Sequence, residues 1–248
     1  MVKGLNSFKE WFHGYEMYYT IIGGTACDLL LSDAGFEFRV TKDIDMVLIV
    51  EALNADFGSH FWKYVKSAGY EHKLKSSGRP EFYRFMNPKS SEFPAMIELF
   101  TRRIEGITLP QDAVLSPLPF DDDISSLSAI LLNSEYYDFL RNGVITVDGI
   151  PVLDTVHLIP FKVKAWLDLS ERKAGGSQVD SKNIRKHKND VIRLSALLSP
   201  DFRINLPEII ASDMRDFLSK IDEVEKYIRV AMAYDLTDVI SLPRLTKN

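Results

Sequence analysis

Cysteine is almost absent from this sequence, and long apolar runs are absent altogether. The one cysteine, Cys27, permits no intramolecular disulfide and no zinc site built from several cysteines. No run of about 18 uncharged apolar residues occurs, so we expect no membrane-spanning helix. The first residues contain no apolar segment of the kind that export signals carry. We therefore expect a soluble, cytoplasmic protein.

An excess of positive charge is also missing. The 248 residues include 30 Lys and Arg against 35 Asp and Glu, which gives a formal net charge of −5. This balance excludes a protein that wraps nucleic acid through its overall basicity, so a polyanion would have to meet a local basic patch. The hydrophobic share of 46% and the charged share of 26% are those of a globular protein and exclude a disordered, collagen-like or coiled-coil chain.

The pattern of apolar residues divides the chain into two halves. In the first half, short β-branched and aromatic segments alternate with amphipathic ones, and an Asp148-Gly149 hairpin signal closes it. From residue 156 onward helical periodicity dominates. We predict an α/β (α+β) fold with a mixed central sheet and flanking helices over 1–155, followed by a helical domain over 156–248. The predicted strands cover 18–22, 43–50, 81–86 and 95–101, and the predicted helices cover 57–68, 127–140, 156–173, 182–198 and two stretches after Pro207.

Two aspartates stand at the start of the strand over 43–50. Asp43 and Asp45 are at positions i and i+2, so their side chains point to the same face of the strand. Two carboxylates held side by side repel each other unless a cation or hydrogen-bond donors compensate, and Mg²⁺ accepts carboxylate oxygens together with water and phosphate oxygens. The alternative is that one aspartate caps a turn and the other faces solvent.

A glycine pair and a glutamate strengthen the case for a phosphate site. Gly23-Gly24 separates a strand from a helix, where backbone N–H groups bind phosphates, and Thr25 adds a hydroxyl. A plain tight turn is the alternative for this pair. Glu98 stands inside an apolar strand and needs a partner if it is buried. If that strand neighbours Asp43 and Asp45, three carboxylates converge as two-metal phosphoryl transfer requires; otherwise Glu98 faces outward on a half-exposed strand.

The order strand, Gly23-Gly24, helix, Thr41-Lys42-Asp43-Ile44-Asp45 and a later acidic strand resembles the DNA polymerase β-like nucleotidyltransferase superfamily. More narrowly it is similar to the AbiEii-type branch, which includes toxins of toxin–antitoxin and phage-abortive systems. Two helical motifs of that branch resemble 161–165 (FKVKA) and 186–194 (KHKNDVIRL). The resemblance spans roughly residues 18–198. It departs at His187, where the family often has Asp, and at Arg172, which comes later than the expected arginine.

The resemblance implies a polymerase β-like palm as the catalytic domain and a role for each matching residue. Gly23, Gly24 and Thr25 would bind phosphates of an NTP; Asp43, Asp45 and Glu98 would bind Mg²⁺ in a two-metal site. Lys162 would contact the triphosphate or the acceptor, and Asp190 would complete the site from the helical domain. The patch over 162–193 carries nine Lys or Arg against four Asp or Glu, which fits a polyanion, although most of these residues are equally explained as solvated helix faces.

The predicted function is therefore an Mg²⁺-dependent nucleotidyltransferase that moves a nucleoside monophosphate from an NTP to a hydroxyl acceptor. By resemblance the acceptor would be a tRNA 3′ end or a protein side chain, and a winged-helix antitoxin would be a partner. The alternative function is that of a non-catalytic protein with the same scaffold that binds an antitoxin or RNA.

Overall fold

The computed structural model of the chain describes residues 2–49, 52–74, 80–100, 133–221 and 224–237. The ends of two predicted strands, at 50 and 101, and the start of the predicted helix over 127–140 lie outside these residues. The described residues form two compact units: one holds those up to 100 together with 143–154, the other holds 133–142 and 155–237. The helix within 133–142, which we assigned to the first domain, belongs to the second unit. That the chain consists of two independent domains with a boundary at residue 155 stays a prediction.

A mixed seven-stranded sheet forms the first unit. Its strand order is β3-β4-β5-β2-β1-β7-β6, in which β2 runs parallel to β5 and antiparallel to β1. The predicted fold class, an α/β protein with a mixed central sheet and flanking helices, is confirmed. The strands are β1 (Tyr19–Ile22), β2 (Asp43–Leu48), β3 (Glu71–Leu74), β4 (Pro80–Met86), β5 (Met96–Phe100), β6 (Val144–Val147) and β7 (Ile150–Leu153).

Strand β2 lies at the centre of the sheet, as its apolar composition predicts. Ile44 and the run Met46–Leu48 are buried, so both faces of the strand are covered after its first three residues. The predicted hairpin is also present: Asp148 and Gly149, at φ 47° and 72°, connect β6 to β7. Positive φ at both central residues is what a two-residue hairpin turn requires. The acidic residues of the predicted site lie on two strands of this sheet, β2 and β5.

The described residues of the first unit form three helices, α1 (Leu5–Trp11), α2 (Gly23–Asp33) and α3 (Ala55–Ala68), and a 3-10 turn over Glu16–Tyr18. Helix α3 begins where the Asn54 side chain accepts a hydrogen bond from the Phe57 N–H, and it ends at Gly69, whose φ is 64°. Its buried face carries the aromatic and aliphatic residues that the helical spacing selects. Helix α2 follows β1 without an intervening loop, so the start of α2 is fixed by the sheet.

The second unit is helical among its described residues. It contains α4 (Ser134–Asn142), α5 (Thr155–Ala174), α6 (Ser181–Ser195), α7 (Glu208–Lys220), a 3-10 turn over Val224–Tyr227 and α8 (Ile228–Ala233). Helix α4 joins this unit because the Tyr136 ring packs edge-on against Phe161 and its hydroxyl donates to Asp213. None of the helices in the described part of the chain is both long and apolar enough to cross a membrane.

A proline inside α5 is accommodated by a tyrosine from the C-terminal end of the unit. Pro160 has no N–H to donate to the carbonyl of Val156 four residues earlier. The hydroxyl of Tyr234 donates to that carbonyl instead, at 2.6 Å. This hydrogen bond therefore holds the first turns of α5 in place. They immediately precede Lys162, the first residue of this helix that the family resemblance selects.

A polar network joins three helices of the second unit. The Lys164 ammonium lies 3.1 Å from the Asp213 carboxylate and 3.4 Å from that of Asp168, and the Tyr136 hydroxyl donates to Asp213 at 2.9 Å. Burial lowers the pKa of Lys164, but the two carboxylates outweigh burial and leave the pKa raised. Burial raises the pKa of Asp168, against the effect of the Lys164 ammonium. Helices α4, α5 and α7 are thus held together by charge-assisted hydrogen bonds.

Candidate active site

The glycine pair at the start of α2 stands directly against Asp45. Gly23 has a φ of 69°, which an L side chain rarely adopts, and a Cβ on this residue would lie 1.7 Å from Asp45 Oδ2. A Cβ on Gly24 would lie 2.7 Å from the Thr41 hydroxyl oxygen. Both glycines are buried. The missing side chain of Gly23 therefore leaves room for the Asp45 carboxylate, and that of Gly24 leaves room for the Thr41 side chain.

Antiparallel pairing explains why the turn meets this aspartate. Ile22, the last residue of β1, is the register partner of Asp45 on β2, and Gly23 follows it as the first residue of α2. The N-terminus of a helix carries a partial positive charge that stabilises a nearby carboxylate. The geometry thus places Asp45 at the N-terminus of an eleven-residue helix.

Asp43 and Asp45 share one face of β2. Both are half-buried, whereas Ile44 between them and Met46 beyond them are buried on the opposite face. This alternation is the period-two pattern of a strand. It brings the two carboxylates to the same partly open side of the sheet, as the sequence predicts.

Glu98 lies beside Asp45 on the neighbouring strand. The parallel pairing of β2 with β5 makes Asp45 and Glu98 register partners, and it pairs Asp43 with Met96. Neighbouring strands are about 4.8 Å apart, so register partners present their side chains to the same face. Glu98 is half-buried, as Asp45 is. The three acids from two separated segments therefore occupy one side of the sheet.

Arg84 is a partner of Glu98 that the sequence did not reveal. Its Nε and Nη2 atoms both lie 2.6 Å from Glu98 Oε1, and the two side chains are 24% and 12% exposed. The antiparallel pairing of β4 with β5 produces this contact, because Arg84 and Glu98 are register partners. One oxygen of the predicted third metal ligand is therefore engaged by a guanidinium.

The side chains therefore fit the predicted metal only in part. Among the residues that the structure describes, no group of three or more His, Cys, Asp or Glu is gathered closely enough to hold a metal ion. Asp43 and Asp45 supply two carboxylates on one face, and Mg²⁺ needs only one or two when water and phosphate oxygens fill its other positions. The donor set fits one divalent ion held by the aspartate pair, while Glu98 already has its Oε1 atom engaged by Arg84.

Two threonines, Thr25 and Thr41, pack next to the residues of the candidate site. The Thr25 hydroxyl donates to the backbone carbonyl of Asp43 at 2.6 Å, and its side chain is buried. The proton of this hydroxyl is used inside the fold, so Thr25 holds α2 against β2. Thr41, which our sequence reading did not assign to the site, is 8% exposed and lies against Gly24. Arg39 lies beside the same glycine, with Nη2 3.5 Å from the position that a Gly24 Cβ would take.

Lys162 and Asp190 form a buried ion pair in the second unit. The Lys162 Nζ atom lies 3.1 Å from Asp190 Oδ2, and the side chains are 4% and 1% exposed. The pair connects α5 to α6 across 28 positions of sequence. The sequence selected both residues without predicting that they bind each other. As placed, each charge serves first to neutralise the other, and a role of either in substrate binding stays a prediction.

Arg172 and His187, the two positions at which the sequence departs from the family pattern, belong to the same two helices. Arg172 is half-buried near the end of α5, and His187 is half-buried in α6. The predicted site residues therefore form two groups. The sheet and α2 bring together Gly23, Gly24, Asp43, Asp45 and Glu98, and the helical unit holds Lys162 and Asp190.

Comparisons with known proteins yield only weak structural likeness. No protein-family model matches the chain, and no curated protein matches it. Among solved structures the chain is similar to the antibiotic-resistance factor ANT(2'')-Ia, whose structure in solution reveals substrate-regulated conformation dynamics. The sequence identity is 10%, the alignment covers 92% of this chain and 96% of that one, and the TM-score is 0.40. A likeness at this level leaves the function to be argued from the chain's own residues.

Proposed function

We propose that the chain is a nucleotidyltransferase that moves a nucleoside monophosphate from an NTP to a hydroxyl acceptor. The observation that carries this proposal is the position of Asp45. It lies against Gly23 at the start of α2, shares a face with Asp43 and stands in register with Glu98. Acidic residues on one sheet face beside a helix N-terminus provide both groups that phosphoryl transfer needs, ligands for a divalent ion and donors for phosphate.

Each part of this arrangement has a chemical task. Asp43 and Asp45 would hold the ion. The first backbone N–H groups of α2 and the Arg39 guanidinium, which lies next to Gly24, would stabilise the negative charge of the phosphates. When bound, Mg²⁺ would neutralise the triphosphate and lower the pKa of the acceptor hydroxyl. The acceptor oxygen attacks the α-phosphorus, the bond to the β-phosphate oxygen breaks, pyrophosphate leaves, and the hydroxyl proton passes to solvent. Catalysis of this kind consists of positioning and charge neutralisation.

Replacing either aspartate by asparagine is expected to slow transfer strongly while preserving the fold. Asp43→Asn and Asp45→Asn keep the side-chain shape but remove the charge, and loss of such a group lowers the rate by about two to three orders of magnitude. The measurement is incorporation of α-³²P-labelled NTPs into total RNA and protein. Asp33→Asn, at an exposed position at the end of α2, is the matched control. Incorporation that survives both site changes contradicts the proposal.

The finer assignments come from the family resemblance. They are an acceptor that is a tRNA 3′ end or a protein side chain, a second Mg²⁺ ion and a winged-helix antitoxin as partner. The labelling experiment distinguishes the acceptors directly, because label that is released by ribonuclease lies on RNA and label that is released by protease lies on protein.

The second candidate is a non-catalytic scaffold that binds an antitoxin or RNA. The observation that favours it is the ion pair of Glu98 with Arg84, together with the lack of a three-ligand group among the described residues. Isothermal titration with Mg²⁺ and each NTP separates the two candidates, since a silent scaffold shows no metal-dependent nucleotide binding.

Glu98→Gln and Arg84→Met are expected to differ if Glu98 takes part in the reaction. Glu98→Gln removes a carboxylate from the site, and we expect it to weaken Mg²⁺-dependent NTP binding about tenfold or more, as loss of a charged hydrogen-bonding group does. Arg84→Met removes only the competing cation and should leave binding intact or tighten it. Both are measured by titration calorimetry alongside urea unfolding. If both variants lose stability equally and neither alters binding, Glu98 is only the partner of Arg84.

A further inference from the structure

A cluster of positive charge lies within the helical unit. A cavity of about 260 Å³ is lined by Lys173 at the end of α5, Arg185 and Lys188 on α6, and Lys220 at the end of α7. None of the described residues that line it is Asp or Glu. Arg185 and Lys188 are three positions apart, which places them on the same side of the helix. Three helices thus contribute cations to one concave surface.

The charges in this cavity are only partly compensated. Lys220 pairs with Asp216 at 2.7 Å, and the Lys173 ammonium contacts the Ser181 hydroxyl, which also lines the cavity. Within its described residues the structure gives no ion pair to Arg185 or Lys188. Side chains that converge with uncompensated positive charge raise the local concentration of anions.

The remaining wall of the cavity is apolar and aromatic. Trp166, Ile184 and Ile221 line it beside the cations. The Trp166 ring is held by an edge-on contact with Phe217, at a centroid distance of 5.1 Å and an interplanar angle of 88°. Phe217 in turn packs edge-on against Tyr227. The Trp166 indole is therefore held by its packing against Phe217, and it is half-buried where it lines the cavity.

We propose that this cavity binds a single nucleotide, with the base against Trp166 and the phosphate between Arg185 and Lys188. An aromatic side chain next to basic ones is the combination that recognises a planar base carrying a phosphate. The volume lies just below the range of about 300–1,000 Å³ for small-molecule sites, so it accommodates one nucleotide and not an extended strand. The nucleotide is either free or the terminal residue of a nucleic acid. The inference does not depend on the proposed transfer reaction, because none of the cavity residues belongs to the acidic site.

Titration of the full-length Asp45→Asn variant in EDTA tests this proposal while removing metal-dependent binding at the acidic face. The probes are AMP, inorganic phosphate and a 5′-phosphorylated single-stranded pentanucleotide. We expect AMP to bind at least tenfold more tightly than phosphate and to quench tryptophan fluorescence. Arg185→Glu is expected to weaken AMP binding about tenfold or more, since it reverses a charge that contacts phosphate. Lys182→Glu, an exposed position on the same helix outside the cavity, is the matched control and should change binding less than about twofold.

Three results of this titration would overturn the proposal. They are absence of AMP binding, equal effects of Arg185→Glu and Lys182→Glu, and phosphate binding as tight as that of AMP. A Trp166→Phe variant that folds and retains the full fluorescence change on AMP addition also contradicts it, because the signal then comes from another tryptophan. Among supporting results, a pentanucleotide that binds more than tenfold more tightly than AMP identifies the ligand as a strand terminus, and one that binds no more tightly identifies a free nucleotide.

Discussion

Gly23→Ala is expected to abolish metal-dependent nucleotide binding and to destabilise the protein. The added Cβ would lie 1.7 Å from Asp45 Oδ2 and 2.6 Å from its Cγ, so the carboxylate has to leave its position. In addition, the φ of 69° costs an L-residue about 1–2 kcal/mol. Displacing the aspartate that carries the proposed function removes a metal ligand as well as a packing contact. We expect NTP affinity in the presence of Mg²⁺ to fall by more than about tenfold.

Gly35→Ala separates backbone strain from the displacement of Asp45. Gly35 follows the other end of α2 and has a φ of 81°, but a Cβ there meets no atom within 4 Å. The two variants therefore share the strain of a positive φ and differ in the contact. Gly35→Ala should lower the free energy of unfolding by about 1–2 kcal/mol and leave nucleotide binding unchanged.

Urea unfolding and titration calorimetry on both variants provide the comparison. The expected pattern is a larger loss of stability for Gly23→Ala than for Gly35→Ala, with binding lost only in the first. Equal stability losses and intact binding in both variants would show that Asp45 can move away at no functional cost. The proposed function would then lose the observation on which it rests.

The sheet and its acidic face were predictable because they follow from local periodicity. Strand β2 is apolar on both faces after its first residues, which predicts its central position, and the i, i+2 spacing of Asp43 and Asp45 fixes their common face. The position of Glu98 needed one further assumption, that its strand neighbours β2, and the parallel register now supplies it. The glycine pair was also found in sequence, where a strand turns directly into a helix.

Contacts that depend on register between distant segments were not predictable. Arg84 reaches Glu98 only because β4 pairs with β5 in one particular register, and a shift of one residue would send its side chain to the other face. The hydroxyl of Thr25 was assigned to phosphate from its place in the motif, whereas in the fold it donates to the carbonyl of Asp43. Nothing in the local sequence states which acceptor a buried hydroxyl will find.

The same limit applies to Lys162 and Asp190, which the motifs selected separately. Lys162 was expected to contact the triphosphate or the acceptor and Asp190 to complete the site, and the structure pairs them in the interior of the helical unit. A lysine and an aspartate that are almost fully buried are stable there only as a pair, because an isolated buried charge loses its hydration. The pairing therefore follows from burial, which sequence spacing alone does not give.

Lys162→Met is expected to lower the free energy of unfolding by about 3–5 kcal/mol, since it leaves the Asp190 carboxylate buried without its cation. Asp190→Asn should cost a comparable amount because it removes the carboxylate charge that neutralises the buried Lys162 ammonium. In the double variant neither position is charged. Its loss in the free energy of unfolding should therefore be smaller than the sum of the two single losses. Urea unfolding of all four proteins measures this coupling. Lys220→Met is the control. The Lys220–Asp216 distance of 2.7 Å is shorter than the 3.1 Å of the buried pair, but the two side chains are 46% and 41% exposed, so loss of this pair should cost less than about 1 kcal/mol.

The double variant also decides whether these two residues act in transfer or only in folding. If Lys162 contacts the triphosphate or the acceptor, a stably folded Lys162→Met/Asp190→Asn protein transfers no nucleotide although Asp43 and Asp45 are intact. If that protein transfers nucleotide at the wild-type rate, the pair is structural and the roles that the family resemblance gives to both residues are wrong. Additive stability losses would in turn contradict the ion pair itself, because two charges that stabilise each other cannot be removed independently.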